Sequence, residues 1–183
     1  DLWVLGSTRA YRLNATGQAV GDFALVAGTQ GGTFDPVRGE LLTTNNSQRR
    51  LFQYTRDGVQ LRSTRTDHHS PSLTGVAREP GTGALWFTDD TSNRLVRLGP
   101  QFGDHRPIPG ANVTGLAHDS STGDLWILGT TRAHRLDAAG QALGDFALEA
   151  GAQGGTFDPV RGELLTTNNS RRRLYQHARD GAQ

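Results

Sequence analysis

The sequence predicts an all-β protein built from small antiparallel sheets that repeat along the chain. The first observation behind this class is the stretch GGTFDPVRGELLTTNNS, which spans residues 31–47 and recurs unchanged at 154–170. The second is that residues 1–60 and 124–183 are identical at 47 of 60 positions. The third is that glycine supplies 24 of 183 residues, mostly in turn sequences, while no amphipathic run of helical length stands out. Together these observations favour many short strands joined by tight turns.

A shorter unit lies inside the long repeat. The pattern Gly-x-x-x-acid-x-x-x-Gly-x-Leu followed by Trp or Leu begins at Gly31, Gly75, Gly115 and Gly154. These glycines are 44, 40 and 39 residues apart, so the 123-residue repeat holds three units. A period of this length is typical of repeat architectures such as solenoids and propellers.

Each unit predicts four strands in order. A short first strand such as GLAHD is followed by a PVRG, PGTG or SSTG turn, and then by an apolar second strand such as ELLTTN or ALWFTD. A polar loop leads to a third strand such as NRLVRLG, and an RDG or AAG turn, which needs a residue tolerant of positive φ, leads to the fourth. Four short strands joined by hairpins form an antiparallel meander.

One such meander has two apolar faces and cannot bury both alone, so copies must stack. Stacking around an axis leaves few exposed edges, which predicts a β-propeller. A parallel β-helix is the less favoured alternative, because its turns are not hairpins and its period is usually shorter. We expect one propeller whose blades lie approximately at residues 1–30, 31–74, 75–114, 115–153 and 154–183.

The first and last of these blades are partial, which gives about four and a half blades in the chain. The first lacks an inner strand and the last lacks most of its outer strand. We therefore expect the chain to be part of a ring of six or more blades, or to associate with another copy of itself, rather than to form a stable closed monomer.

The stretch GALWFTDDTSNRLVRLGP resembles the blade of NHL-repeat propellers and of the related gluconolactonase and streptogramin-lyase-like propellers. The matching residues are Trp86, Thr88, Asp89, Asn93, Arg94 and Leu95. The resemblance weakens in the other units. It implies a site in the central channel, with histidine and a divalent ion in the lyases and with acidic and Asn metal ligands in gluconolactonases. Those ligands do not transfer residue by residue. The resemblance also implies an exported or extracellular bacterial protein.

Residues that recur in the units are expected to build the scaffold. Trp3, Trp86 and Trp126 occupy equivalent positions in the second strand and predict packing between blades, with a ligand-stacking ring as the alternative. Asp35 and Asp158 stand before the first turn, as Glu79 and Asp119 do in the other units. Acids at this position accept backbone N–H bonds and fix the hairpin.

Residues that occur once are better candidates for function. Asp67, His68 and His69 lie in TDHHSPS, between a fourth strand and the next first strand. In a propeller this connection shares a face with the loop between strands two and three, where Asp89 and Asp90 lie. An Asp–His pair can polarise an imidazole or bind a metal, and the two aspartates could ligate Ca²⁺. The alternatives are a polar surface loop and a tight turn.

His118 is the candidate for the channel, because it lies on a first strand, the strand that lines a propeller channel. The equivalent positions hold Phe34, Arg78 and Phe157, which do not form a metal cage. This departure from the lyase pattern disfavours an enzyme.

Composition narrows the partners. All nineteen basic residues are Arg, they are interspersed with eighteen acids, and the net charge is +1, which disfavours nucleic-acid binding. The absence of Cys excludes disulfides and Cys-based zinc sites, and no apolar run is long enough for a transmembrane helix. The leading interpretation is a non-catalytic scaffold or binding module without a cofactor. The alternatives are a metal-dependent lyase or lactonase-like enzyme, and an engineered or recently amplified repeat protein without a selected ligand.

Overall fold

The computed structural model describes residues 1–66, 72–79, 82–98, 104–107 and 112–182, with backbone alone at 104–107. In this part of the chain there are eighteen β-strands and no helix. The strands form five antiparallel sheets of three or four strands, and each sheet is a meander of consecutive strands. The prediction of an all-β fold made of repeated antiparallel meanders is confirmed.

The strand bounds follow the chain. Sheet 1 contains β1 (Leu2–Leu5), β2 (Arg9–Leu13) and β3 (Ala19–Ala24). Sheet 2 contains β4 (Thr29–Asp35), β5 (Glu40–Asn45), β6 (Arg50–Thr55) and β7 (Gln60–Arg65). Sheet 3 contains β8 (Leu73–Arg78), β9 (Leu85–Asp89), β10 (Arg94–Leu98) and β11 (Asp104–Pro107). Sheet 4 contains β12 (Val113–His118), β13 (Leu125–Gly129), β14 (Arg132–Leu136) and β15 (Ala142–Ala147). Sheet 5 contains β16 (Ala152–Asp158), β17 (Glu163–Asn168) and β18 (Arg173–Ala178).

The sheets stack in chain order, and the strands β4, β8, β12 and β16 adjoin one another as the inner strands. The glycine that opens each unit lies where two inner strands meet. A Cβ atom added to Gly31 would lie 2.1 Å from the Thr74 carbonyl oxygen, and one added to Gly115 would lie 2.9 Å from the Gly154 Cα atom. Because real Cβ atoms do not approach this closely, glycine is what allows the inner strands to touch.

A β-bulge interrupts the register of each inner strand beside this glycine. At sheet 2, the Thr44 hydroxyl accepts a hydrogen bond from Gly31 N at 3.1 Å and donates one to the Thr74 carbonyl oxygen at 2.7 Å. At sheet 3, the Thr88 hydroxyl accepts from Gly75 N at 2.8 Å. Threonine side chains therefore satisfy backbone groups that the bulge leaves out of the ladder.

The core is divided among the interfaces between consecutive sheets. We call the face of a sheet that packs on the preceding sheet its leading face, and the opposite face its trailing face. Sheets 2 and 3 bury Leu42, Leu51, Leu73, Val76, Phe87 and Val96. Sheets 3 and 4 bury Ala77, Trp86, Leu95, Val113, Leu116, Leu125, Ile127 and Leu136. Stacking thus hides both faces of the middle sheets, as the repeat predicted.

The described RDG and AAG turns before the fourth strands follow the prediction of a positive φ. Gly58 and Gly140, in the RDG and AAG turns, have φ values of 88° and 80°. No helix that could cross a bilayer occurs among the residues that the structure describes.

Candidate functional site

The candidate residues that the structure describes, Asp89, Asp90 and His118, do not converge on one site. Asp67, His68 and His69 lie outside the described residues. Asp89 is the last residue of β9 and pairs with Leu73 at the start of the inner strand β8. His118 lies at the other end of an inner strand, as the last residue of β12. The acidic face and the channel candidate therefore belong to opposite ends of their sheets.

Asp89 is engaged in its own turn and is only 2% exposed. Its Oδ1 accepts hydrogen bonds from Thr91 N at 3.0 Å and Ser92 N at 3.1 Å, and its Oδ2 accepts one from the Ser92 hydroxyl at 2.6 Å. This is the geometry by which a short acid closes a turn between two strands.

The equivalent residues of sheets 2 and 5 are asparagines with the same task. Asn45 Oδ1 accepts from Gln48 N at 3.0 Å, and Asn45 Nδ2 donates to the Ala27 carbonyl oxygen at 2.8 Å. Asn168 makes the matching bond to the Ala150 carbonyl oxygen at 2.7 Å. The position is therefore a turn position in three sheets, whether it holds Asp or Asn.

Asp90 belongs to a polar link between sheets 2 and 3. Its Oδ1 accepts a hydrogen bond from the Ser72 hydroxyl, which in turn accepts one from Asn46 Nδ2 at 2.7 Å. No group of three or more His, Asp or Glu side chains that could hold a metal ion is found among the described residues. The oxygens of Asp89 already face N–H and O–H donors, so this carboxylate is engaged in its turn rather than open to a cation.

His118 occupies a position that its equivalents use for contact with the preceding sheet. The rings of Phe34 and Phe157 stack on Trp3 and Trp126, with centroids 5.8 Å and 6.0 Å apart. Arg78, in the same position of sheet 3, binds Asp35 of sheet 2 at 3.0 Å. These equivalents assign the position to the interface between sheets, at the end that carries the first turn.

The His118 imidazole is half-buried there. Burial lowers its pKa, and the negative charges of Glu79, Asp119 and Asp124 oppose that change. Its Nδ1 is buried and has no hydrogen-bond partner among the described residues. His118 is therefore a mostly neutral imidazole at neutral pH, with one ring nitrogen unused.

The acids before the first turns have two functions. Asp35 Oδ1 accepts from Val37 N at 3.0 Å, which fixes the hairpin, while its carboxylate binds Arg78 of the next sheet. Asp119 repeats this arrangement with Ser121 N at 2.9 Å and with Arg179 of sheet 5 at 2.7 Å. The turn role of these acids was predictable from the sequence, and the ion pair between sheets was not. The signal was weak, because Arg78 ends the inner strand β8 whereas Arg179 directly follows the third strand β18.

These environments set the protonation of the buried acids. For Asp119, burial would raise the pKa, but hydrogen bonds from Ser121 and Thr122 and the charge of Arg179 hold it below the ordinary value. For Glu79, burial would also raise the pKa, but hydrogen bonds from Arg97, Thr82 and Trp86 and the charge of Arg97 together lower it. Both acids are therefore anions at neutral pH.

The tryptophans pair with arginines on the neighbouring strand. Trp86 and Trp126 are 3% and 1% exposed, and the guanidinium carbons of Arg97 and Arg135 lie 5.6 Å and 5.7 Å from their ring centroids. Trp3 stands opposite Arg12 in the same register. In sheets 2 and 5 both positions change together, to Leu42 with Gln53 and to Leu165 with Gln176. The arginines cover the rings, which makes the pairs part of the packing.

One cavity of about 210 Å³ opens beside sheets 1 and 2. Its lining includes Trp3, Arg12 and Arg56. The cations of Arg12 and Arg56 both pair with the carboxylate of Asp1. Both arginines of the lining are therefore engaged with the same carboxylate.

No family model matches the chain, and no curated protein matches its sequence. Among solved structures, the chain is similar to virginiamycin B lyase from Staphylococcus aureus, with a TM-score of 0.57 and 16% identity over 96% of this chain and 65% of that protein. A streptogramin B lyase gives a TM-score of 0.54 and 17% identity over 82% of this chain and 54% of the other. Hydrazine synthase from Kuenenia stuttgartiensis gives a TM-score of 0.58 and 10% identity over 87% of this chain and 49% of that protein.

At these identities the similarity shows the fold, and the fold is a β-propeller. The predicted relation to streptogramin-lyase-like propellers is confirmed at that level. The chain spans less than two thirds of the length of each of these three proteins, between 49% and 65%.

Proposed function

We propose that the chain is a non-catalytic propeller scaffold or binding module. The observation that carries this proposal is the use of the recurrent charged residues to join sheets. Asp35 and Asp119 are 1% and 0% exposed, and each binds an arginine of the next sheet. Buried pairs of this kind fix the geometry between elements, since breaking one leaves an uncompensated charge. Such residues are committed to the framework and are not available to a substrate.

A ligand of this module would bind at the face that carries Ser72 and Asp90. The segment with Asp67, His68 and His69 directly precedes Ser72, and it supplies the extra length of the unit that begins at Gly31. Loops held by a rigid scaffold are the usual carriers of binding function. This proposal includes two further expectations. A ring of six or more blades is completed by a remainder of the ring or by another copy of the chain. The protein is exported from a bacterial cell.

Calcium binding at this face provides a direct test. A cation that binds the folded state raises stability by RT ln(1 + [L]/Kd), which is about 2.7 kcal/mol at one hundred times Kd. We expect no change in the thermal unfolding midpoint when CaCl₂ replaces NaCl at equal ionic strength. A calcium-dependent rise that Asp90→Asn abolishes would contradict a metal-free scaffold.

The alternative function is a metal-dependent lyase or lactonase-like enzyme. It is favoured by the fold similarity to virginiamycin B lyase, of which one solved form is catalytically inactive and contains quinupristin. The buried Nδ1 of His118, which has no hydrogen-bond partner among the described residues, could serve such an enzyme. Such an enzyme would consume quinupristin in the presence of divalent ions.

The assay follows intact quinupristin by mass spectrometry, with Mg²⁺, with Mn²⁺ and with EDTA. The scaffold proposal expects no loss of quinupristin in any of them. A metal-dependent loss that disappears in His118→Ala, or in the triple variant Asp67→Ala, His68→Ala and His69→Ala, would replace the proposal with the enzyme. The third alternative is an amplified repeat without a selected ligand. It predicts that no ligand in a binding screen loses affinity when residues at the face that carries Ser72 and Asp90 are replaced by alanine.

A further inference from the structure

The outer strands of sheets 1, 2 and 4 occupy the same place in the fold but carry opposite charge. Strands β3 and β15 read AVGDFA and ALGDFA, and each contains one acid and no base. Strand β7 reads QLRSTR, with two arginines and no acid. Sheet 2 therefore has a cationic outer edge at a position that is anionic in sheets 1 and 4.

The first cause of this difference is a lost acid. In sheet 1, Arg9 on β2 binds Asp22 on β3, and sheet 4 repeats this ion pair. In sheet 2 the register places Ser63 where those strands have the acid, and the Nη1 group of Arg50 donates to its hydroxyl at 2.7 Å. A neutral hydroxyl thus takes the place of the carboxylate, and the charge of the Arg50 guanidinium stays uncompensated within this hairpin.

The second cause is an added cation. Arg62 on β7 stands opposite Gln53, at the position where β3 has Gly21 opposite Arg12. The Arg62 side chain is exposed, and it makes no ion pair with a carboxylate of the described part of the chain. Two guanidinium groups at this edge, those of Arg50 and Arg62, are therefore available to an anionic partner.

The backbone of β7 offers hydrogen-bonding groups beside these cations. It is the outermost strand of sheet 2, and none of the described strands pairs with its far side. Thr66 N donates to the Arg49 carbonyl oxygen, so this amide faces β6. Because backbone groups alternate in direction along a strand, those of Ser63 and Arg65 face outward. An extended peptide supplies the matching donors and acceptors.

The hairpin end of the same edge is apolar. Val59 and Leu61 are 63% and 51% exposed. A β-bulge shifts the register between Gln53 and Tyr54, so the pairing stays regular from Arg62 to Arg65. The edge thus combines a regular cationic stretch with an apolar stretch at the end that carries the hairpin.

We propose that the outer edge of β7 binds an acidic, extended segment of a partner protein as a fifth, antiparallel strand of sheet 2. Two adjacent acids of the partner stand opposite Ser63 and Arg62, and an apolar residue follows opposite Leu61. Opposite residues have Cβ atoms about 5 Å apart, and adjacent residues project to opposite faces. The first acid therefore meets the Arg50 guanidinium on the leading face, and the second meets Arg62 on the trailing face. This inference goes beyond the proposed scaffold function and does not depend on a ligand at the face that carries Ser72.

Two other occupants match the edge less well. A second copy of the chain offers the acids of β3 and β15, but these already pair with Arg9 and Arg132 of their own sheets. A polyanion such as heparin matches the two cations, but it has no row of backbone amides to pair with the outward groups of Ser63 and Arg65. The acidic peptide satisfies both the charge and the backbone.

The test uses the fluorescein-labelled peptide STVEEVTS and follows its binding to the chain by fluorescence anisotropy at low salt. We expect the peptide STVQQVTS, which lacks both charges, to bind at least about tenfold more weakly. A form of STVEEVTS that is N-methylated at alternate residues should also bind at least about tenfold more weakly, because it keeps the charges and loses backbone donors.

Substitutions in β7 give the matching test on the protein. Arg62→Gly and Ser63→Asp introduce the residues found in β3, and we expect each to weaken binding of STVEEVTS at least about tenfold. The control is Arg161→Gln, which removes the same charge from an exposed turn of sheet 5 and should leave the affinity within about twofold. Thermal unfolding checks that the variants are folded, and the comparison of the three peptides needs no variant at all.

Four results would overturn the proposal. If STVEEVTS does not bind, the arginines only keep the edge unpaired. If the N-methylated peptide binds equally well, or if heparin binds more tightly than STVEEVTS and loses affinity in Arg62→Gly, the edge is a site for polyanions. If sedimentation shows a dimer that Arg62→Gly abolishes, a second copy is the occupant. Quinupristin turnover tests the scaffold function separately, so the two failures can be told apart.

Discussion

The interface between sheets 1 and 2 and the interface between sheets 4 and 5 are built from nearly the same sequence but bury different rings. Tyr54 is 2% exposed in the first, and its hydroxyl accepts a hydrogen bond from Val26 N at 3.3 Å. His177 takes its place in the second, is 0% exposed, and shares a hydrogen bond of 3.0 Å with the Thr166 hydroxyl. Phe23 and Phe146 approach the two rings equally, at 5.7 Å and 5.5 Å.

This difference shows that two copies of a repeat can keep the same packing while only one of them buries a ring that titrates near neutral pH. Burial raises the pKa of Tyr54 further above neutral pH, so that this ring is neutral throughout the physiological range. Burial lowers the pKa of His177, so that this ring is neutral only until acid protonates it. Two interfaces with the same packing are therefore expected to respond differently to acid.

The largest expected effect compares the opening glycines of the two copies. Gly31→Ala places a methyl group against the backbone of Thr74, which cannot move aside as a side chain could. We expect it to lower the free energy of unfolding by about 3 kcal/mol. Gly154→Ala meets no atom closer than 3.7 Å and should change it by less than about 0.5 kcal/mol. Urea titration of both variants measures the pair, and equal losses would show that contact between inner strands is not the reason for the glycine.

The second comparison concerns the acids before the turns. Asp35→Asn keeps the oxygen that accepts from Val37 N but leaves Arg78, whose side chain is only 14% exposed, without its anion. We expect a loss of about 2 kcal/mol. Asp158→Asn, at an exposed pair of 4.0 Å, should cost less than about 0.5 kcal/mol. If Asp158→Asn in the 183-residue chain costs as much as Asp35→Asn, the ion pair between sheets contributes nothing.

Acid should separate the interfaces that carry Tyr54 and His177. Because the folded state lowers the pKa of His177, the unfolded state binds more protons, and the stability is present above the unfolded pKa of about 6.5 and is lost as pH falls below it. His177→Tyr should remove this loss, whose slope is at most about 1.4 kcal/mol per pH unit. Unfolding free energies at pH 7.5 and 5.0 provide the measurement.

The reciprocal variant is the control for that experiment. Tyr54→His should add an acid-dependent loss to the first interface, while the carboxylates that are common to both chains cancel. His118, whose pKa burial also lowers, stays in both variants and contributes equally. An unchanged pH dependence in both variants would remove the distinction between the interfaces.

The smallest expected effect concerns the arginines over the tryptophans. Arg135→Gln, which introduces the residue found opposite Leu42 and Leu165, removes a cation from Trp126 and from the buried Asp124, and should cost about 1 kcal/mol. Arg12→Gln should cost less, because its partner Asp1 is 28% exposed and lies at 3.7 Å. Differential thermal unfolding of the two variants ranks them, and the opposite order would contradict a role in packing.

The sequence predicted the strands and their meander because turn chemistry and apolar alternation are local. The RDG turn needed a positive φ, and Gly58 has one. The recurrence of the units then required stacking, and the propeller followed. None of these steps depended on which residues of one sheet meet those of the next.

The contacts between sheets could not be predicted from the sequence, because local turn chemistry does not indicate which residues of two sheets meet. Nothing in the order of residues indicates that Arg78 reaches Asp35, or that a Cβ atom on Gly31 would strike Thr74, since each contact joins atoms of different units. The channel prediction for His118 assumed that a residue on an inner strand faces the axis. Side chains alternate along a strand, and Phe34 and Phe157 at the equivalent positions stack on the preceding sheet, so the channel role of His118 stays a prediction.

The glycines between inner strands allow the sheets to stack closely because they have no side chain. Where Gly115 passes Gly154, the spacing is set by main-chain atoms, which are the same in every protein, rather than by side chains that vary. Substitutions elsewhere in the chain should therefore leave the angle between consecutive sheets unchanged. A related sequence could therefore have different residues in all its hairpin turns and still keep the same angle between consecutive sheets.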